Sequence, residues 1–150
     1  MHEATNTNKR QVSENIAFCA YLDHNVYHMG IGHVIKYNKA LLNDGSGYNT
    51  HTGIFTAPLT GVYLFTFSFD SHAGKTELRL SIDDVNIVGS VVDHVGTNNN
   101  LLVGGNSAII HVTKGQAVWT ETYYTDNQDI ESQESYRKTT FSGVLLYLTE

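Results

Sequence analysis

The chain has 150 residues, 41% of them hydrophobic and 16% charged, a balance that excludes disorder and suits one domain with a sizeable core. Nine basic against fifteen acidic side chains give a formal net charge of −6, which argues against nucleic acid or an anionic membrane as a general partner, since both select a basic surface. A single cysteine, Cys19, excludes a disulfide within the chain; in "IAFCAYL" it suits either a buried inert thiol or pairing with a second chain.

Residues 1–14 are polar and without period, so a loose leader is expected ahead of one globular domain over 15–150. That leader lacks the roughly 7–15-residue apolar core of a signal peptide, and no stretch approaches the ~20 apolar residues of a membrane span. No Asn-x-Ser/Thr acceptor occurs either, so composition leaves the compartment open. From Ile16 the pattern alternates: Ile16, Phe18, Ala20 and Leu22 share one parity and predict a first strand. "DHNVYHMGIG" reads as a polar connection into "HVIKYNKALL". "NDGSG" at 43–47 then supplies the Asp-Gly and second Gly of a tight turn.

"GVYLFTFSF" at 61–69, set off by Pro58 and Gly61, predicts the central strand. Tyr63, Phe65, Phe67 and Phe69 point one way, yet Val62 and Leu64 make the other face apolar as well. Leu78, Leu80 and Ile82 alternate again, with Asp83-Asp84 as a hairpin turn into "VNIVGSVV". "GTNNN" at 96–100 is a polar loop, Ser107–Val112 a strand, "TKG" at 113–115 a turn, and "QAVWTETYY" and "TTFSGVLLYL" two further strands. Short strands at roughly ten-residue spacing without an amphipathic helix predict an all-β sandwich or barrel. Three strands are apolar on both faces over 62–65, 108–110 and 143–148. An isolated sandwich would leave those faces in water, so oligomerisation is expected.

Tyr37, Asn43, Tyr48, Phe55, Gly61, Tyr63 and Phe65 stand at spacings that resemble the signature of the complement C1q globular-head family. Tyr37 departs from the usual Phe but keeps the ring. "AFCAYL", "TGIFTAPLTGVYLFTF", "SAIIHVTKGQAVW" and "FSGVLLYL" extend the resemblance over nearly the whole chain. It implies a ten-stranded jelly-roll sandwich of the C1q/tumour-necrosis-factor type that assembles as a homotrimer. On that reading Phe18, Phe55, Tyr63, Phe65, Phe67 and Phe141 fill the core, and Leu64 turns toward the neighbouring subunit. With no Gly-X-Y run in the chain, the resemblance is to short stand-alone heads of invertebrates such as molluscs, which act as secreted recognition proteins.

No nucleophile elbow, His-Glu-x-x-His, cysteine pair at metal spacing or phosphate loop occurs, so no catalysis is expected. His24, His28 and His33 cluster in sequence, but on a loop their spacing does not make them converge, and a solvated loop is the expectation. The resemblance makes calcium a candidate ion at Asp93, although Leu102 stands where a second acidic residue would help; otherwise no cofactor is expected. The polar stretch at 125–138 offers Asp126, Asp129, Glu131, Glu134, Tyr136 and Arg137, and "GTNNN" offers Asn98 and Asn99, as candidate ligand-binding residues on loops of a rigid scaffold. The expected function is that of a secreted, lectin-like trimer that binds carbohydrate on microbial surfaces in innate immunity. A ligand for a protein receptor, as cerebellin and adiponectin relatives are, is the alternative, with a structural trimer behind it.

Overall fold

The structure is a computed structural model that describes residues 15–94 and 102–150; the expected leader and the loop residues Asn98 and Asn99 lie outside the described residues. Among the described residues there are strands and no helix: β1 (Ala17–Tyr21), β2 (Val26–Met29), β3 (Lys39–Asp44), β4 (Tyr48–Asn49), β5 (Ile54–Thr56), β6 (Gly61–Phe69), β7 (Lys75–Ile82), β8 (Val85–Asp93), β9 (Gly104–Val112), β10 (Ala117–Thr122), β11 (Gln128–Ile130) and β12 (Thr140–Leu148). Two five-stranded sheets run in the orders β3-β1-β12-β6-β9 and β4-β5-β10-β7-β8, and β11 pairs with β2 in a separate ribbon. The pairings are antiparallel throughout, and most spatial neighbours are distant in sequence. This is the jelly-roll sandwich that the alternation and the resemblance predict.

The two-residue period of β6 decides which layer each side chain enters. Tyr63, Phe65, Phe67 and Phe69 are buried between the sheets, whereas Val62, Leu64 and Ser68 are half-buried and Thr66 is exposed on the other face. The inner rings pack on one another: Phe18 stacks on Tyr48 at 5.0 Å and on Phe55 at 4.8 Å, and meets Phe141 edge-on at 4.9 Å. Offset and edge-on contacts of this kind add to the gain from area burial alone.

The signature residues share one construction. The Asn43 side chain donates to the Tyr48 carbonyl at 2.8 Å and accepts from the Tyr48 amide at 3.1 Å, closing the 43–48 turn. Gly45 (φ 84°) and Ser46 (φ 56°) give that turn its left-handed residues. The Tyr48 hydroxyl then donates to the Tyr37 carbonyl at 2.7 Å, and the Tyr37 hydroxyl lies 2.6 Å from Thr120 Oγ1 on β10. Burial holds both phenols protonated by pushing their pKa values above the ordinary tyrosine range. The hydroxyl that distinguishes Tyr37 from the usual Phe therefore has a buried partner, as such a group requires.

β9, β6 and β12 are neighbours in one sheet, so the three strands that read as apolar on both faces lie side by side. Leu64 sits opposite Ile109 on one flank and Val144 on the other. Ile109 is 67% exposed, and Leu42, Val144, Leu146, Tyr147 and Leu148 are exposed as well. A shallow groove of about 340 Å³ between Leu42, Leu64 and Val144 crosses this outer face.

Two elements differ from the sequence expectation. "DHNVYHMGIG" contains β2, and the polar stretch 125–138 contains β11, which pair through Met29↔Gln128 and Val26↔Ile130. Each strand of this ribbon sends few side chains into the core, Met29 from one and Ile130 from the other among them, so no alternation long enough to read arises. The other difference is at the end of "QAVWTETYY": β10 stops at Thr122, and Tyr123 and Tyr124 project beyond it. Residues 32–35 run along β10, with Gly32 N–H on Thr122 O at 3.0 Å and Ile35 N–H on Thr120 O at 2.9 Å.

Candidate recognition surface

The ribbon and its flanking loops carry most of the predicted ligand-binding residues, and most of these are tied to partners within the chain. Asp126 accepts the Ile31 amide at 3.2 Å and Asp129 accepts the His28 amide at 2.8 Å, so both carboxylates tie the 125–130 segment to β2 and its following turn. Glu134 accepts from the Tyr21 hydroxyl at 3.0 Å and from Arg137 at 2.7 Å. The Arg137 guanidinium lies over the Tyr21 ring, 4.4 Å from its centre. Glu131 binds Lys138 at 2.6 Å and approaches His72 at 3.4 Å. Asp129 and Glu131 are half-buried, whereas Asp126, Glu134, Arg137 and Tyr136 stay exposed, Tyr136 at 75%.

Beneath this surface lies a buried polar node. Asp70 is 2% exposed and receives Lys138 Nζ at 3.1 Å and His94 Nε2 at 2.9 Å. Lys138 thus joins two carboxylates, one from each side of the loop cluster. Burial opposes its charge, but the hydrogen bonds to Glu131 and Asp70 together hold its pKa above the ordinary lysine value. The Lys138 hydrogen bond in turn holds the Glu131 carboxyl below its usual range. A depressed carboxyl stabilises the fold above its unfolded value of 4.5, and that contribution is lost as pH falls through the folded value. Lys138→Met is therefore expected to cost about 2–4 kcal/mol at neutral pH, because it leaves Asp70 buried with less compensation. Denaturant unfolding measured from about pH 7 down to about pH 3 should show that deficit shrinking as Glu131 takes up its proton. A deficit that stays constant over this range would contradict the assignment.

With its carboxylates engaged, the surface presents rings and amides. Tyr27 packs edge-on against His72 at 5.1 Å and receives the Asn25 amide on its hydroxyl at 2.9 Å. Asn127 Oδ1 lies 2.9 Å from His28 Nδ1. Backbone strain concentrates here: His28 (φ 58°), Tyr124 (φ 75°), Asn127 (φ 58°) and Arg137 (φ 52°) are all left-handed residues other than glycine. Tyr124 is the costliest of these, since a bulky ring at positive φ is a genuine outlier, and it is 69% exposed. Sequence reading placed Tyr124 at the end of a strand and missed Tyr27 altogether; only "TDN" directly after Tyr124 signals that the chain turns there.

The remaining candidates give a different result. Asp93 is exposed at the end of β8, facing Lys75 across the ladder, and Leu102 is a half-buried apolar residue packed against the core. Calcium needs six to eight oxygen ligands, and of these two positions only Asp93 carries a carboxylate. Among the described residues no group of three His, Cys, Asp or Glu side chains is placed to hold a metal, and no helix is long and apolar enough to cross a membrane.

Two five-stranded antiparallel sheets closed over an aromatic core, with an apolar outer face on one sheet, define a jelly-roll module. Residues 17–146 match the C1q domain family, and the chain belongs to it. Among curated relatives, Complement C1q tumor necrosis factor-related protein 7 of Mus musculus is 29% identical over 76% of this chain and 38% of its own length. Heavy metal-binding protein HIP of Mytilus edulis is 26% identical over 90% of this chain and 62% of its own length. The chain therefore spans less than two thirds of either relative. Among solved structures, the globular domain of zebrafish complement 1qA superposes with a TM-score of 0.72 at 22% identity, over 91% of this chain and all of that one (100%). Eiger TNF from S. frugiperda gives 0.66 at 14% identity, over 91% and 95%. These likenesses establish the fold, and the family is one of generally non-enzymatic recognition and ligand domains.

Proposed function

We propose that this chain is a secreted, homotrimeric, lectin-like protein that binds carbohydrate on microbial surfaces through the ribbon end of each subunit. Tyr124 carries the reading. Strain of order 1–3 kcal/mol persists only where the surrounding structure over-determines it, and such residues cluster at binding sites. Here the strained residue holds an aromatic ring out into water, beside the Tyr123 ring and 6.0 Å from the Lys75 ammonium. An open ring beside amide side chains suits a sugar, whose apolar face stacks and whose hydroxyls need planar polar partners. Each such site is weak. Three on one trimer, facing a repetitive surface, raise avidity by simultaneous engagement.

The test is saturable binding to a panel of microbial polysaccharides, competed by free sugar, with calcium present and again with a chelator. Binding is expected under both conditions, since the ring and amides of the ribbon end need no metal to meet a sugar. Tyr124→Gly separates site from scaffold: relief of the left-handed tyrosine should leave the protein as stable or about 1 kcal/mol more so. Loss of the ring should weaken glycan binding by roughly five- to thirtyfold per site, the worth of one or two aromatic contacts. Absence of glycan binding throughout would move the reading to a protein receptor as ligand. The name of the Mytilus edulis relative adds a heavy-metal arm to the same panel.

A further inference from the structure

A second concavity has chemistry unlike the ribbon surface. It holds about 360 Å³ between β2, the 33–38 segment and the turn at Thr50 and His51, within the range of small-molecule sites. Its floor is apolar, with Met29 and Ile35 each 1% exposed. Its rim carries His24, His33, His51 and Lys36. We infer that this pocket binds a small organic anion, a carboxylate carried on an apolar body, one per subunit. This inference is independent of the carbohydrate reading, and no lining residue belongs to β1, β6, β9 or β12, the strands of the apolar outer face.

The distribution of charge is the argument. The described cations elsewhere are largely engaged: Lys75 with Glu77, Arg79 with Glu121, Arg137 with Glu134, and Lys138 with Asp70 and Glu131. Among the described residues Lys36, His33 and His51 have no carboxylate partner, although the chain carries a net charge of −6. The carboxylate beside the rim, Asp23, is already bound by His24 at 2.6 Å and by the Asn38 amide at 3.0 Å, with Lys39 near it. Glu121, next to Val34 on β10, is held by Arg79 and by the Trp119 indole at 2.6 Å. Apart from His24, the mouth is therefore a set of unmatched donors over an apolar floor, the arrangement that fixes an amphipathic anion head-up.

The same groups set a pH dependence. Burial, and after it the Lys36 ammonium, holds His33 below the usual imidazole range, so it is neutral near pH 7. A bound carboxylate favours the protonated form of His33, so binding takes up protons and, by linkage, tightens as pH falls.

Calorimetry on the full chain with octanoate, the isosteric octanamide and Zn²⁺, at about pH 5.5 and about pH 7.5, tests this. Octanoate should occupy one saturable site per chain, at least about fivefold more tightly at the lower pH, and octanamide should bind at least about tenfold more weakly. Lys36→Gln and His51→Gln change exposed side chains, so the fold is not at risk; each should weaken octanoate by about three- to tenfold and leave octanamide unchanged. Equal affinity for acid and amide would reduce the pocket to an apolar crevice and overturn the inference. No saturable octanoate binding at either pH would overturn it too, and so would Zn²⁺ that saturates the site alone and excludes octanoate.

Discussion

In the homotrimer proposed above, Leu64→Asp is expected to give monomers without unfolding the subunit. Leu64 occupies the middle of the outer face, with Ile109 opposite it on β9 and Val144 opposite it on β12. In the single subunit it is half-buried and lines an open groove, so a carboxylate there keeps access to water. Against a neighbouring subunit the same carboxylate loses that water and faces apolar side chains, a penalty of several kcal/mol at each of the copies. Symmetry repeats the penalty at every interface, which places the variant far beyond the reach of compensating contacts. Sedimentation at micromolar concentration should return about one third of the wild-type mass, with an unchanged β-type far-ultraviolet spectrum. Val85→Asp is the control: Val85 is 62% exposed on the second sheet, and its substitution should leave the mass unaltered. A Leu64→Asp protein that keeps the wild-type mass would show that subunits meet elsewhere or do not meet at all.

The outer face was legible in the sequence because strand periodicity has only two phases. When Val62 and Leu64 break the polar phase of β6, Ile109 breaks that of β9, and Val144 and, past a bulge, Tyr147 lie beside them on β12, the excess has nowhere to go but a surface. The signature from Tyr37 to Phe65 was legible for a related reason: each of its residues closes a contact within the same small region, so spacing and structure carry the same information. The ribbon was not legible. β2 and β11 are held by long-range partners, such as the Asp129 carboxylate on the His28 amide and the Thr76 hydroxyl on the Asp129 carbonyl, which no local window contains. The candidate site suffered most from this. Composition shows that Asp126, Asp129, Glu131 and Glu134 are acidic and lie on a loop. It does not show that each reaches back to an amide, an ammonium, a phenol or a guanidinium of its own chain. Tyr124 gave no compositional signal at all, because left-handed strain is a property of the folded backbone.

Phe65→Ala should have the largest effect on stability of any single change in β6. The ring is fully buried and touches Phe18, Phe55, Tyr63 and Phe141, so truncation removes its transfer free energy and leaves a cavity in the middle of the ring cluster. Such truncations cost about 3–5 kcal/mol, a large share of the roughly 5–15 kcal/mol that holds a domain together. The cavity opens beside Gly143, its cross-strand neighbour on β12. A Cβ on Gly143 would stand 2.6 Å from Phe18 Cε1, 2.8 Å from Phe65 Cδ1 and 2.9 Å from Phe65 Cε1. Gly143→Ala alone should therefore cost about 1–3 kcal/mol by overpacking, although the backbone there accepts an L side chain. In the Phe65→Ala background two of those three close contacts vanish, and the new methyl group enters space the ring has left. The double variant should thus be less destabilised than the two single costs added together, by about 0.5–2 kcal/mol in a denaturant-unfolding cycle. Strict additivity would mean that the Phe18 ring alone excludes a side chain at position 143, and that β12 owes its glycine to β1, where Phe18 resides, and not to β6.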